Sequence, residues 1–83
     1  MEEKPKPENL VFETRIDSVR LSIWKNHDQN GNAFFSVKVL RRYKTGSNEW
    51  SNSNQYTGLG QLALLRQAVS IAEQFLVTNE LAR

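Results

Sequence analysis

Eighty-three residues are enough for one domain and too few for two, since a chain of this size buries only about 60% of its unfolded surface. Hydrophobic residues at 39% and charged residues at 24% fall in the globular range, away from compositions that stay disordered. The lack of cysteine excludes disulfides, iron–sulfur clusters, thiolate zinc sites and cysteine nucleophiles together. No apolar run approaches the roughly 20 residues of a bilayer span, and the start MEEKPKPEN has no apolar signal core, so a folded cytoplasmic domain that avoids membranes is the expectation.

The net charge of +2 is unevenly spread. Residues 1–13 sum to −2 and residues 49–83 to −1, whereas Arg15, Arg20, Lys25, Lys38, Arg41, Arg42 and Lys44 against Asp17 and Asp28 leave residues 14–48 at +5. That excess points to a polyanionic partner rather than to a fold.

Residues 1–9, rich in charge and holding both prolines, have no apolar periodicity and read as a flexible arm before a single domain over 10–83. Leu10, Phe12, Thr14 and Ile16 then share one parity, and Val19, Leu21 and Ile23 take the other. A bulge or short turn near Asp17 and Ser18 reconciles them. Beyond it Ser18 to Lys25 alternates, with Val19, Leu21 and Ile23 inward and Ser18, Arg20, Ser22 and Trp24 outward. Asn30-Gly31 in a polar stretch predicts a tight hairpin. A second strand follows over Phe34 to Lys44, with Phe35, Val37 and Val39 inward and Phe34, Ser36, Lys38, Leu40, Arg42 and Lys44 outward. Thr45 to Asn48 supplies another turn, and Trp50 to Tyr56 a polar strand.

After Gly58 and Gly60, Gln61 to Val77 repeats at helical spacing. Leu62, Leu65, Val69, Ala72 and Leu76 form one stripe, and Leu64, Ala68, Ile71 and Phe75 a second beside it, together wider than one sheet contact requires. One stripe is expected on the sheet. The other, taken as Leu64, Ala68, Ile71 and Phe75, is expected at the interface of a homodimer, because a small core gains most from association. A monomer whose sheet curls over both stripes is the alternative. The fold class is α+β: a curved antiparallel sheet of three or four strands followed by one C-terminal helix.

Few residues offer catalytic chemistry. His27 beside Asp28 could bind a metal or move protons, but a local pair in a hairpin tip lacks a second ligand or nucleophile and reads as turn chemistry. Gly58-Leu59-Gly60 before a helix matches neither phosphate-loop pattern and reads as a hinge. No enzyme, metal site or cofactor is expected. The outward faces of the two long strands are richer. Paired as a hairpin, they bring Arg20, Trp24, Phe34, Lys38, Arg42 and Lys44 to one surface. Single-stranded nucleic acid needs that mixture, cations along its backbone and flat rings for its bases. Solvated strand cations and a ring covering a second small core are the plainer explanation.

Ile23-Trp24-Lys25-Asn26, Phe35-Ser36-Val37, Arg41-Arg42-Tyr43-Lys44-Thr45-Gly46 and Trp50, followed by one long helix, resemble a family of small bacterial proteins of similar length. The likeness spans about Arg15 to Phe75 and brings no activity with it. More distantly, the element order is similar to the positive cofactor four and Whirly-type single-strand-binding folds, which dimerise through their helices. This similarity implies a single-strand-binding homodimer and supplies no site residue. The expected function is therefore non-enzymatic binding of single-stranded DNA or RNA with low sequence preference. A protein-interaction module using the apolar helix face or a strand edge is the alternative.

Overall fold

The computed structural model describes residues 9–80. The expected arm over residues 1–9 therefore lies outside the described residues except for Asn9. Asn9 is tied down: its carbonyl accepts the Lys25 N–H at 2.8 Å and its side-chain amide donates to Asn26 Oδ1 at 2.8 Å.

Four strands, β1 (Leu10–Ile16), β2 (Val19–His27), β3 (Ala33–Lys44) and β4 (Trp50–Ser53), form one antiparallel sheet in the order β1-β2-β3-β4. The helix α1 (Gly58–Glu80) follows, completing the expected α+β architecture with four strands. No helix among the described residues is long and apolar enough to cross a membrane.

Each turn has a local cause. Ile16 pairs with Val19, so Asp17 and Ser18 make a two-residue turn, and Asp17 adopts the positive φ of 54° that this tight reversal requires. The parity switch between the first two apolar runs is that turn. Between β2 and β3, Asp28 and Asn32 pair through the backbone, and Gly31 donates to the Asp28 carbonyl at 3.1 Å. Only Gly31 of the Asn30-Gly31 dipeptide takes positive φ, at 83°, as in a type I turn closed by a bulged glycine. The β3–β4 connection repeats this design with Asn48 at φ 67° in the left-handed position, while Gly46 keeps an ordinary conformation.

Two departures from simple alternation matter. A bulge between Leu10 and Phe12 places Leu10 opposite Trp24 while Phe12 pairs with Ile23, so Leu10 leaves the parity of Phe12. β4 ends at Ser53 rather than running to Tyr56, because the chain turns there: Gln55 N–H donates to Ser53 Oγ, and Arg41 Nε donates to the Gln55 carbonyl at 3.0 Å. Consequently β4 covers only Arg41–Lys44 of the longer β3.

Val19, Leu21 and Ile23 of β2 are fully buried beneath Ala68 and Ala72 of α1. Two alanines at the contact let the helix backbone approach the sheet, and larger side chains close the flanks. Phe75 sits between Phe12 and Phe35, with ring centroids 5.4 and 5.7 Å away. Leu64 and Ile71 pack on the same cluster. This corrects the expected interface: Leu64, Ala68, Ile71 and Phe75 are the stripe that docks on the chain's own sheet. The other flank remains uncovered, with Leu62 49% and Val69 42% exposed. Tyr56 closes the core near Arg41, although its hydroxyl is buried without a hydrogen-bond partner.

The Gly31→Ala variant is expected to lose about 1–2 kcal/mol in urea unfolding, since open space surrounds the position and only backbone strain opposes a Cβ. Gly46→Ala, free of positive φ, should change stability by less than about 0.5 kcal/mol. Phe75→Ala should cost about 3–5 kcal/mol.

Candidate nucleic-acid interface

The β2–β3 register runs without a break from Val19 opposite Arg41 to His27 opposite Ala33. Side chains alternate across a sheet, so the odd-numbered residues of both strands lie on the helix side and the even-numbered ones on the open side. Arg20 thus sits opposite Leu40, Ser22 opposite Lys38, Trp24 opposite Ser36 and Asn26 opposite Phe34. β4 continues the surface, with Asn52 opposite Arg42 and Trp50 opposite Lys44. All six residues expected to bind nucleic acid, Arg20, Trp24, Phe34, Lys38, Arg42 and Lys44, share this face. Lys25 and Arg41 lie on the helix side instead.

The face has two halves. At one end, Arg15, Arg20 and Arg42 border a cleft of about 410 Å³ that Asp17, Ser18, Leu40, Trp50 and Asn52 complete. The Arg42 guanidinium lies over the Trp50 ring at 4.4 Å from its centroid, and Lys44 Nζ approaches the same ring at 5.7 Å. Trp50 is 56% exposed, so the cations hold a large ring ready in solvent. Arg15 pairs directly with Arg20 across β1 and β2. Like charges in that position repel. Glu13 relieves part of the repulsion through Oε2 at 3.4 Å from Arg20 Nε.

The other half is nearly neutral. Asn9, just before β1, is joined to Asn26 of β2 and through it to Ser36 of β3, Asn26 donating from Nδ2 to Ser36 Oγ at 3.0 Å. Trp24 lies here, half-buried between its cross-strand neighbours Leu10 and Ser36. Phe34 is exposed beside the hairpin tip. Eight residues of extended β3 separate Phe34 from Arg42, about 27 Å at 3.4 Å per residue, so these two share a face without sharing a site. Lys38 lies midway between them.

Several participants had weak sequence signals. Arg15 joins the cleft because the two-residue turn at Asp17-Ser18 folds β1 back onto β2, and that turn alone sets Arg15 opposite Arg20. Trp50 and Asn52, whose spacing with Asn54 in the sequence offers a ring and neutral hydrogen-bond groups as an extension of this face, enter through their register with β3. Trp50 is a more accessible ring than Trp24.

The other candidate groups are elsewhere. The Asp28 carboxylate accepts the backbone N–H groups of Asn30 and Asn32, both at 2.9 Å, and so closes the hairpin loop. The Asn32 N–H is the main cause holding its pKa below the ordinary carboxylate value, with Asn30 and His27 adding to it. Gly58, at φ 79°, makes the glycine turn by which the chain enters α1, as the hinge reading expects, and Gly60 lies in the first turn of that helix. There Gln61 Oε1 accepts the Thr57 N–H at 2.7 Å. Among the described residues, no three His, Cys, Asp or Glu side chains gather as metal ligands would.

The chain matches no protein-family model, and no curated protein or solved structure matches it.

The lowered Asp28 pKa has a definite pH consequence. Its stabilisation is fully present above the unfolded-state carboxylate pKa and is lost as pH falls through the lower folded-state value. The difference in urea midpoint between the parent chain and Asp28→Ala should thus stay constant from pH 7 to about 5 and shrink below about pH 4.

Proposed function

We propose that this protein is a non-enzymatic binder of single-stranded DNA or RNA, with little sequence preference, acting as a homodimer and without a cofactor. The carrying observation is the cluster on the open face: Arg42 stacked on an exposed Trp50, with Arg15 and Arg20 bordering the same cleft. Guanidinium groups hold phosphates as paired donors, and a ring presented to solvent accepts an unstacked base. The helix α1 packs on the opposite side of the sheet, so no helix accompanies these cations into the major groove of a duplex. Exposed rings favour the single strand, whose bases are free to stack.

The rival interaction module keeps the exposed Leu62 and Val69 flank of the helix and loses one stripe. Leu64, Ala68, Ile71 and Phe75 are occupied by the chain's own sheet. Among the described residues the β3 edge from Ala33 to Leu40 also remains open to such a partner.

Four phosphate contacts per chain, through Arg20, Lys38, Arg42 and Lys44, predict a log–log salt slope of about −3 for oligo-dT, at roughly −0.7 per contact. Tryptophan fluorescence reads the titration directly, since Trp24 and Trp50 both lie on the open face. Arg42→Ala should flatten the slope by about 0.7. Trp50→Ala should weaken binding by about 1–3 kcal/mol with the slope nearly unchanged. Trp24→Ala should weaken it less, because that ring is already half-buried. Quenching that does not respond to salt would contradict the proposal.

A further inference from the structure

The cleft on the open face runs across the sheet, from Arg15 and Asp17 on the β1 side to Trp50 and Asn52 on β4. Its cations are gathered towards one side. Arg15 stands directly opposite Arg20, which sets their Cβ atoms about 5 Å apart. Arg20 faces Leu40, and the Arg42 N–H donates to the Ser18 carbonyl at 2.7 Å, so Arg20 and Arg42 are diagonal neighbours about 7–8 Å apart. Three guanidinium groups therefore border one hollow, with the Trp50 ring across from Arg15. Glu13 engages Arg20, and among the described residues neither Arg15 nor Arg42 has a carboxylate partner.

What surrounds the hollow decides which phosphate it fits. Lys38, Arg42 and Lys44 form a row along β3, with Lys38 about 14 Å from Arg42 at 3.4 Å per residue. Arg15 stands off that row by two strand spacings, about 10 Å. It is the one cation of β1, with Glu13 two residues before it on the same face and Asp17 two residues after it at the rim of the cleft. β1 is also the last strand of the sheet on that side. A nucleic-acid chain that left the row and continued past Arg15 would run off the sheet between two carboxylates. A chain that ends there meets no such obstacle. The end also has the better chemistry: a terminal phosphomonoester exposes three oxygens and carries about −1.5 to −2 charge at pH 7, more than the single charge of an internal phosphodiester. Guanidinium groups bind such oxygens as paired donors. At about 410 Å³ the cleft is at the small end of ligand pockets, which run from about 300 to 1,000 Å³, and has room for one nucleotide.

We infer that this cleft receives the phosphorylated end of a single strand, its terminal phosphomonoester held by Arg15 and Arg20 and its last base stacked on the exposed ring of Trp50. Arg42 lies between the two and serves both, over the ring and beside the phosphate. The rest of the strand follows β3 past Lys38 towards Phe34. This inference rests on the single-strand binding proposed above and adds to it a preference for one kind of end.

The test compares the full chain's affinity for oligo-dT carrying a 5′-phosphate, a 3′-phosphate or neither, by tryptophan fluorescence at one fixed ionic strength. At least one phosphorylated strand is expected to bind about tenfold tighter than the unmodified strand, the scale of a hydrogen-bonded charge pair. Which end gains gives the polarity of the bound strand. Arg15→Ala should bring the ratio of phosphorylated to unmodified affinity close to one, and since Arg15 is exposed the circular dichroism should stay that of the parent. Lys38→Ala should weaken all three strands alike and keep the ratio. Equal affinity for the three strands would overturn the end preference and leave single-strand binding standing. A gain from the phosphate that survives Arg15→Ala would do the same, since it would come from charge spread over the face rather than from this cleft. No binding of any strand would overturn both readings.

Discussion

The pairing of β2 with β3 is the constraint on which the molecule depends. Its unbroken register from Val19 opposite Arg41 to His27 opposite Ala33 sends Val19, Leu21, Ile23, Phe35 and Val39 under the helix and Arg20, Ser22, Trp24, Lys38 and Leu40 to the other side. A slip of one residue would exchange the two sets, exposing the aliphatic core and burying cations. Such a slip is opposed by the cost of burying charge without a partner. The register that builds the core therefore also builds the cationic face. Core packing and surface chemistry are consequences of one alternation.

The architecture has two layers, a sheet with a helix on one side, and that economy explains what is left open. One helix covers mainly β2 and its immediate neighbours, and among the described residues the buried apolar set is Val19, Leu21, Ile23, Ala68 and Ala72. Apolar groups beyond that set remain accessible on the α1 flank and on β3. The uncovered sheet face, by contrast, carries polar and charged groups in ordered relation: Glu13 beside Arg20, Asn26 bonded to Ser36, Arg42 upon Trp50. One side of the sheet thus has surplus apolar surface, and the other has organised charge.

Much of this was legible in the residues because period-two alternation is a local property. Val19, Leu21 and Ile23 against Arg20, Ser22 and Trp24, with turn chemistry at Asp17-Ser18 and at Gly31, determine both faces of the central hairpin. The helix was less transparent. Its two apolar stripes are similar in hydrophobicity, and which one meets the sheet depends on where the chain crosses it, a tertiary fact. Ala68 and Ala72 lie at the closest approach, and small residues there are a signal of packing that hydrophobicity alone does not weigh. The bulge at Val11 moved Leu10 beside Trp24 without any glycine or proline to announce it. β4 stopped early because Gln55 and Tyr56 serve the turn into the helix, a demand set by connection rather than strand preference. Arg15 reached the cleft only through its pairing with Arg20 of the neighbouring strand, whereas the spacing of Trp50 and Asn52 already offered them to this face.

The central claim is that one side of the sheet, and not the helix side, receives the polyanion. Its most direct measurement is a nuclear magnetic resonance titration with oligo-dT that follows the two indole Nε1–H signals and the methyl groups of Leu62, Val69 and Val77. Progressive shifts of the Trp50 indole, smaller shifts of the Trp24 indole and unmoved α1 methyls are the predicted result. Shifts concentrated in the α1 methyls with both indoles stationary would contradict the account.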